Sequence, residues 1–379
     1  MDSRLIMLEG LPGTGKSTNS YLLTIQLKRN GNTVRWIHEV ARPHPTSFFS
    51  EACFTREEYE TFLGKYPEAG ATLNPITVFR KATVGIDLLE AEWNYLGAIG
   101  DSTFQELKKF DAWDFPLDKY VGAALDKWAY FADKALAEKD SVYIMDSSIF
   151  QFQIWAFLQD NAPYNELEKF VLRLLEIVRP LNPSLIYFYR KNAEATIAYL
   201  EKERGTAYLE YIWERDKSQP YYQNKPSNVE AHRQFLRDYA CMAQSLYEAA
   251  PCKKAAYEIS KADWPRHEKE MLAFLGAEHK PDPNGFPHDG VYKNEPLNSE
   301  IVVDGLAVTD PEGKKRKLIP ISENEFYMEC LPTELRFETP ERIVMSGEQI
   351  AARWTAMGTA FDKTRCKFPL TKSVYNCKL

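Results

Sequence analysis

The sequence predicts an α/β fold in which helices flank a parallel sheet, followed by a small β-rich domain. Short apolar runs alternate with helical patterns along the first part of the chain, as is typical of parallel sheets with crossover helices. The runs span residues 5–8, 33–40, 141–146, 183–189 and 255–259. A proline-rich stretch at 278–285 then precedes closely spaced strand candidates. We therefore expect one domain over residues 1–277 and a second over residues 278–379.

The composition favours a folded protein with small-molecule rather than nucleic-acid partners. A length of 379 residues with 44% hydrophobic residues is sufficient for two domains with cores. The formal net charge of -7 argues against a polynucleotide partner. Six scattered cysteines without metal-ligand spacing, no signal-peptide layout and no apolar run of about 18 residues predict a cytoplasmic protein without a membrane partner.

The helices and strands are expected in an order that fits this fold. Residues 17–28 predict a helix directly after a glycine-rich loop. Residues from about 51 to 140 have a helical pattern rich in aromatic side chains, and we interpret them as a helical insertion on the substrate side. Later helices are predicted near 150–160, 164–179, 193–203, 228–249 and 263–276. Strands of the second domain are predicted at 300–309, 316–321, 325–330, 334–338 and 342–346.

The most specific motif is Gly10-Leu11-Pro12-Gly13-Thr14-Gly15-Lys16-Ser17, which fits the pattern GxxxxGK[ST] between a strand and a helix. Glycines allow backbone N–H groups to wrap phosphates, and the helix that continues through Thr18 offers its N-terminus to the anion. Lys16 is expected to reach the terminal phosphates and Ser17 to bind magnesium. The sequence therefore predicts a site for a nucleoside triphosphate with Mg²⁺.

Asp146 is the second candidate for this site, because it ends the apolar strand 141–146. Open α/β sheets bind ligands at the carboxyl ends of their strands. A carboxylate there is expected to hold the magnesium ion together with Ser17, directly or through water. A strand-end acid alone is weak evidence, but the glycine-rich loop strengthens the prediction.

Two other classes of protein that use this loop fit less well. GTPases carry the motif NKxD, whereas Asn224-Lys225-Pro226-Ser227 lacks the aspartate that pairs with guanine. Met345-Ser346-Gly347-Glu348-Gln349 is faintly similar to the signature of transporter ATPases, but it lies far beyond Asp146 instead of before it. A complete loop at the N-terminus with a substrate-sized insertion favours a small-molecule kinase.

Over about residues 4–275 the sequence resembles the deoxynucleoside kinase and thymidylate kinase group of P-loop kinases. The resemblance is carried by the loop, by Glu39, by Asp146-Ser147-Ser148, and by two segments. The segments are Ile186-Tyr187-Phe188-Tyr189-Arg190 leading into 193–204, and Tyr208-Leu209-Glu210-Tyr211-Ile212-Trp213-Glu214-Arg215. It implies a P-loop kinase-type sheet and a lid at about 201–217.

The resemblance also implies roles for individual residues. Glu39 is the candidate general base, with His38 as a rival, and Arg204 is the lid cation that reaches the transferred phosphoryl group. Lys202 and Arg215 are alternatives to Arg204. Phe79 and Trp93 are candidate walls of the substrate pocket, although packing between helices is the simpler interpretation.

Two departures from the family pattern bear on the substrate. Ser147 stands where the family usually has arginine, and Val40 stands where a proline commonly follows the strand-two acid. We expect Arg42 or Arg80 to supply the missing cation. The β-rich second domain is also foreign to ordinary nucleoside kinases.

We therefore predict an ATP- and Mg²⁺-dependent phosphotransferase that acts on a hydroxyl of a nucleoside, nucleotide, antibiotic or other metabolite. The sequence leaves a homodimer open. The alternative is a P-loop ATPase that acts as a switch or assembly factor through a protein partner.

Overall fold

A computed structural model describes residues 2–285, 287–310, 313–329, 331–347 and 358–364. The described residues separate into two compact units: the first contains those within 2–281 together with 331–332, and the second contains those within 282–329, 333–347 and 358–364. The helices are α1 Lys16–Arg29, α2 Arg56–Lys65, α3 Pro67–Leu73, α4 Leu88–Glu90, α5 Leu96–Lys108, α6 Leu117–Ala137, α7 Gln151–Gln159, α8 Tyr164–Val178, α9 Ala193–Arg204, α10 Thr206–Asp216, α11 Glu230–Ala249 and α12 Trp264–Leu275.

The first unit contains a five-stranded parallel sheet, which confirms the predicted α/β class. Its strands are β1 Leu5–Gly10, β2 Thr33–Ile37, β6 Ser141–Asp146, β7 Ser184–Tyr189 and β8 Lys253–Glu258, in the order β2-β6-β1-β7-β8. β1 and β6 are buried along their whole length, as expected for strands covered by helices on both faces. Leu8 is paired with Asp146, so both strands end at the same edge of the sheet.

The core of this unit lies largely between the sheet and the helices α6, α7, α8 and α11. Amphipathic helices supply the apolar side chains of this core. In α8, the apolar residues recur at helical spacing and are all buried, namely Leu167, Phe170, Val171, Leu174, Leu175 and Val178. The predicted strand at 33–40 ends earlier than expected, at Ile37. Residues 38–40 are therefore loop, and their side chains lie beyond the end of β2.

The stretch from about 51 to 140 is not purely helical, which corrects the prediction. It contains a three-stranded antiparallel sheet in the order β3-β5-β4, with β3 Glu51–Thr55, β4 Thr77–Phe79 and β5 Thr83–Asp87. These strands pack with α2, α3 and α5 around a separate apolar cluster. The aromatic residues of the stretch concealed the strands, because short buried strands and helical core positions have similar composition.

A buried charge cluster joins this small sheet to α6. The Arg80 guanidinium lies 2.6 Å from Oε1 of Glu51, and Lys127 Nζ is bonded to the other carboxylate oxygen. The exposed fractions of the three side chains are only 3%, 6% and 1%. Burial lowers the pKa of Lys127 to about 8, although Glu51 acts in the opposite direction. The single carboxylate of Glu51 thus offsets the charges of two buried cations, Arg80 and Lys127.

The second unit is a closed antiparallel barrel, which confirms the predicted β-rich region. Its strands are β9 Gly290–Asn294, β10 Ser299–Val303, β11 Ala307–Thr309, β12 Lys315–Pro320, β13 Glu325–Met328, β14 Thr333–Thr339, β15 Arg342–Gly347 and β16 Ala360–Lys363. Buried residues alternate along them, as in Leu335 and Phe337 of β14. The predicted strand at 300–309 is divided into β10 and β11, and β9 and β16 were not predicted.

Parts of two predictions lie outside the described residues. The strand predicted at 325–330 ends at Cys330, which lies outside the described residues. The motif that is faintly similar to the transporter signature ends at Glu348 and Gln349, which also lie outside them. Within the described residues, every helix is too short or too polar to cross a membrane.

We expect the Glu51→Gln substitution to lower the free energy of unfolding by about 3 kcal/mol, because it leaves two buried cations without a carboxylate. Chemical denaturation of the full chain measures this loss. Glu106→Gln is the control, since Glu106 also contacts two lysines, Lys65 and Lys109, but at the surface, and its substitution should change stability little. A similar, small effect of both substitutions would contradict the importance of the buried cluster.

Candidate functional site

The glycine-rich loop Gly10–Ser17 turns the chain from the end of β1 into α1. Gly13 and Gly15 have φ angles of 77° and 85°, in the left-handed region that favours glycine. A Cβ atom on Gly13 would lie 2.5 Å from Cδ2 of Leu200, so a larger residue does not fit without a shift of its neighbours. No side chain caps the start of α1. Its first backbone N–H groups are therefore available to an anion.

Lys16 is buried within this loop. Its Nζ donates hydrogen bonds of 2.9 and 3.1 Å to two carbonyls of the loop itself. Burial lowers the pKa of Lys16, and the carboxylates of Glu39, Glu9 and Asp146 act against this effect. These acids favour the charged form of the amine, which is the form that binds a phosphate.

Asp146 ends β6 with both carboxylate oxygens buried. Neither oxygen has a hydrogen bond of normal geometry to any described residue. Burial raises the pKa of Asp146 to about 6, and His38 and the Ser17 side chain act in the opposite direction. An unpaired buried carboxylate is costly, and a divalent cation would relieve that cost.

The donor set at this point suits magnesium better than a metal held by protein alone. Among the described residues, no group of three or more His, Cys, Asp or Glu side chains is placed to hold a metal ion. Mg²⁺ is commonly bound by one or two protein oxygens, with waters and substrate phosphates completing its shell. The Ser17 hydroxyl and the Asp146 carboxylate fit this pattern.

Ser147, the residue after Asp146, has a strained backbone. Its φ angle is 62°, which is uncommon for a residue with a side chain, and its backbone N–H donates a 3.0 Å hydrogen bond to the Leu8 carbonyl. Such strain concentrates at functional sites. At Ser147 this backbone conformation turns the chain away from the direction of β6. The small side chain of Ser147 lines the cleft that is described below.

Glu39 and His38 follow β2 at the same edge of the sheet. Glu39 accepts a 3.0 Å hydrogen bond from Nε2 of Gln151 and lines the cleft. His38 does not belong to that lining. Its Nδ1 accepts a 3.2 Å hydrogen bond from the Val40 backbone, and its ring contacts Trp36 with a centroid distance of 5.4 Å. Of the two rival bases, Glu39 is the one that faces the cleft.

Glu9 is a buried carboxylate that the sequence analysis did not single out. It accepts hydrogen bonds of 2.7 and 3.0 Å from the backbone N–H groups of Ile149 and Phe150, immediately before α7. Burial raises its pKa to about 7 despite these bonds and the nearby Lys16. Glu9 therefore ties the strand before the loop to the start of a helix. Its position, last before the glycine at a buried strand end, was the available signal.

A cleft of about 460 Å³ opens over the glycine-rich loop. The loop contributes Pro12, Gly13, Gly15, Lys16, Ser17 and Thr18, whereas Gly10 and Thr14 are not part of its lining. Two arginines of the predicted lid face it. Arg204 is exposed at the end of α9, with its guanidinium 4.8 Å from the Tyr208 ring centroid. Arg215 also lines the cleft, but it forms two hydrogen bonds of 2.6 and 2.7 Å to Asp216.

The structure places four predicted substrate residues away from this lining. Arg42 is paired with Asp87 at 3.2 Å, and its guanidinium lies 4.4 Å from the Trp93 ring centroid. Phe79 is 46% exposed on the small sheet, and Arg80 belongs to the buried charge cluster. Neither Arg42 nor Arg80 therefore supplies a cation to the cleft, contrary to the expectation from the sequence.

A second cavity of about 210 Å³ adjoins the cleft, and we call it the aromatic chamber. Its rings come from Phe48, Phe49, Trp113, Phe115, Tyr120, Phe152 and Trp155, and its polar residues are Asp114, Gln159, Asp160 and Gln219. Trp113, Phe152 and Trp155 line both spaces. Trp113 was noted in the sequence as an aromatic of the insertion, but Phe152 and Trp155 were missed because they lie on α7, outside it.

Comparisons of the chain with protein-family models and with curated proteins found no match. The function of the site is therefore inferred from its own residues.

We expect Glu9 to make stability depend on pH. The pKa of Glu9 is raised from its usual 4.5 to about 7 in the folded chain, so between these values the unfolded chain has lost the proton and the folded chain retains it. The contribution of Glu9 to stability must therefore fall as pH rises, by up to about 1.4 kcal/mol per pH unit. Denaturation of the wild type and Glu9→Gln from pH 5 to 7 measures the difference.

The variant should gain stability relative to the wild type across this range, because the amide cannot ionise. Glu60→Gln, at an exposed position on α2, is the control and should show no comparable gain. Parallel pH profiles for the wild type and Glu9→Gln would rule out a protonated Glu9.

Proposed function

We propose that this protein is a Mg²⁺- and ATP-dependent phosphotransferase that phosphorylates a hydroxyl of a small molecule. The observation that carries the proposal is that Lys16 and an uncapped helix start line one end of a cleft, while the buried carboxylate of Asp146 lies behind that lining, directly before the lining residue Ser147. Such a set of groups suits a triphosphate with its metal. The aromatic chamber, which shares three lining residues with the cleft, supplies room for an acceptor.

In this proposal the glycine-rich loop and α1 hold the phosphates, and Lys16 moves its hydrogen bonds from the loop carbonyls to phosphate oxygens. Ser17 and Asp146 hold the magnesium ion. When bound, Mg²⁺ neutralises charge that develops on the phosphate oxygens during transfer. Membership of the deoxynucleoside kinase and thymidylate kinase group is part of the same proposal, supported by the motifs that carry the resemblance.

The transfer step needs a base and a further cation. The acceptor oxygen forms a new bond to the γ-phosphorus while the bond from that phosphorus to the bridging oxygen of ADP breaks. Glu39 accepts the proton of the acceptor hydroxyl, and Arg204 stabilises the negative charge of the transferred group. Arg204 suits this role because no described carboxylate forms an ion pair with it, whereas Arg215 is held by Asp216.

Lys16→Ala should lower the rate of phosphate transfer about a hundredfold or more, because it removes a cation aligned with the transferred charge. The assay incubates the full chain with Mg²⁺, γ-labelled ATP and a library of hydroxylated metabolites, and it detects labelled products by mass spectrometry. Lys169→Ala, at an exposed position on α8, is the matched control and should behave as the wild type.

The same assay separates this proposal from its alternative. ATP hydrolysis with no phosphorylated product from any acceptor would contradict the kinase assignment. It would favour an ATPase switch or assembly factor.

Glu39→Gln should lower kcat about a hundredfold while changing KM little, since the amide keeps the shape of the side chain but cannot accept the proton. His38→Gln should have a much smaller effect, because His38 does not line the cleft. Steady-state kinetics with a substrate from the library provide both values. The reverse order of effects would identify His38 as the base.

A further inference from the structure

The cleft and the aromatic chamber differ in charge. The cleft over the glycine-rich loop is lined by the cations Lys16, Arg204 and Arg215 and also by the carboxylates of Glu39 and Glu203. The lining of the chamber contains no lysine, arginine or histidine, but it includes the carboxylates of Asp114 and Asp160. The cleft therefore combines cations with carboxylates, whereas the only charged residues in the lining of the chamber are carboxylates, and this difference orients a polar ligand that contacts both spaces.

Cations that lie over the rings of the chamber are already paired. Lys119 lies 4.2 Å from the Phe115 ring centroid and is bonded to Glu58. Lys127 lies over Phe48 but is bonded to Glu51, and Arg215 lies over Trp113 and Trp155 but is bonded to Asp216. No described lysine or arginine forms an ion pair with Asp114 or Asp160. An anion in the chamber would therefore meet negative charge that no cation offsets.

Two residues of the chamber wall also carry buried hydrogen-bond donors. The indole N–H of Trp155 and Nε2 of Gln159 are buried and have no partner among the described residues. Both residues line the chamber. Both donor atoms are shielded behind the wall, so the surface that the chamber presents to a ligand comes from its rings and its polar side chains Asp114, Asp160 and Gln219.

The dimensions show which part of a ligand the chamber accepts. A volume of about 210 Å³ is below the range of roughly 300–1,000 Å³ that is usual for a whole small-molecule site. The facing rings suit a planar group, and rings stabilise a cation placed over them. The rest of a larger ligand must lie outside the chamber, and the cleft adjoins it on the side of Phe152 and Trp155, which line both spaces.

We propose that the aromatic chamber binds the non-reacting end of the phosphate acceptor and selects a planar group that is uncharged or cationic, while it rejects an anionic one. The selection is made by Asp114 and Asp160, and the rings of Phe152 and Trp155 hold the plane. This inference rests on the proposed function only in naming the ligand an acceptor. The charge selection itself is a property of binding.

Isothermal titration calorimetry with two matched pairs tests this selection. The first pair is uridine and orotidine, which differ by a carboxylate on the ring, and the second is tyramine and 4-hydroxyphenylacetate. The carboxylate member of each pair should bind about fivefold more weakly or worse, the size expected for like charges near one another in water. The Asp114→Asn, Asp160→Asn double variant should reduce this ratio towards one.

Two controls isolate the carboxylates of the chamber. The Asp101→Asn, Asp133→Asn double variant makes the same change in net charge at exposed positions on α5 and α6, and it should keep the wild-type ratio. Trp155→Ala should weaken binding of all four compounds, because it removes an aromatic ring from the wall of the chamber. Equal binding within the pairs, an unchanged ratio in the chamber variant, or no saturable binding by any of the four compounds would overturn the inference.

Lys16→Ala distinguishes failure of this inference from failure of the proposed function. The charge preference should persist in that variant, because Lys16 lies outside the chamber, although phosphate transfer is lost. A wild type that shows the preference but phosphorylates nothing would contradict the kinase proposal alone. Phosphate transfer without the preference would overturn the charge selection alone.

Discussion

The parallel pairing of β1 with β6 is the constraint on which the site depends. It sets Leu8 opposite Asp146, so the glycine-rich loop and the strand-end carboxylate meet at one edge of the sheet. Because both strands are buried throughout, charges at that edge lose hydration and must be stabilised by one another. Lys16 lies among three carboxylates for this reason, and Asp146 retains oxygens that no protein group satisfies.

The same edge of the sheet extends the site towards the acceptor. Glu9 precedes the loop and accepts hydrogen bonds from the backbone N–H groups of Ile149 and Phe150, the two residues directly before α7. That helix then supplies Gln151 to Glu39, and Phe152 and Trp155 to the walls of the cleft. Glu9 and the glycine-rich loop, which are neighbours at the end of β1, therefore set both the proposed phosphate site and the wall of the proposed acceptor site.

The sequence predicted the parts of the fold that depend on local pattern. The parallel sheet, the β-rich region and a strand ending at Asp146 were readable, because apolar runs and turn residues are local signals. The contacts of Arg42 and Arg80 were not, since their partners Asp87 and Glu51 are 45 and 29 residues away in the chain. The three strands within 51–140 were hidden for a related reason: their pairing is non-local, and their composition is that of buried helix.

The wall formed by Phe152 and Trp155 belongs to both spaces, and this has a thermodynamic consequence. A ligand that restricts the motion of these two rings from one side reduces the conformational entropy that a second ligand, on the other side, would remove when it binds. Coupling between two binding sites is reciprocal, so each ligand changes the affinity of the other by the same factor. Simultaneous binding on both sides of this common wall is the arrangement in which such coupling would arise, and it would need no movement of one domain against another.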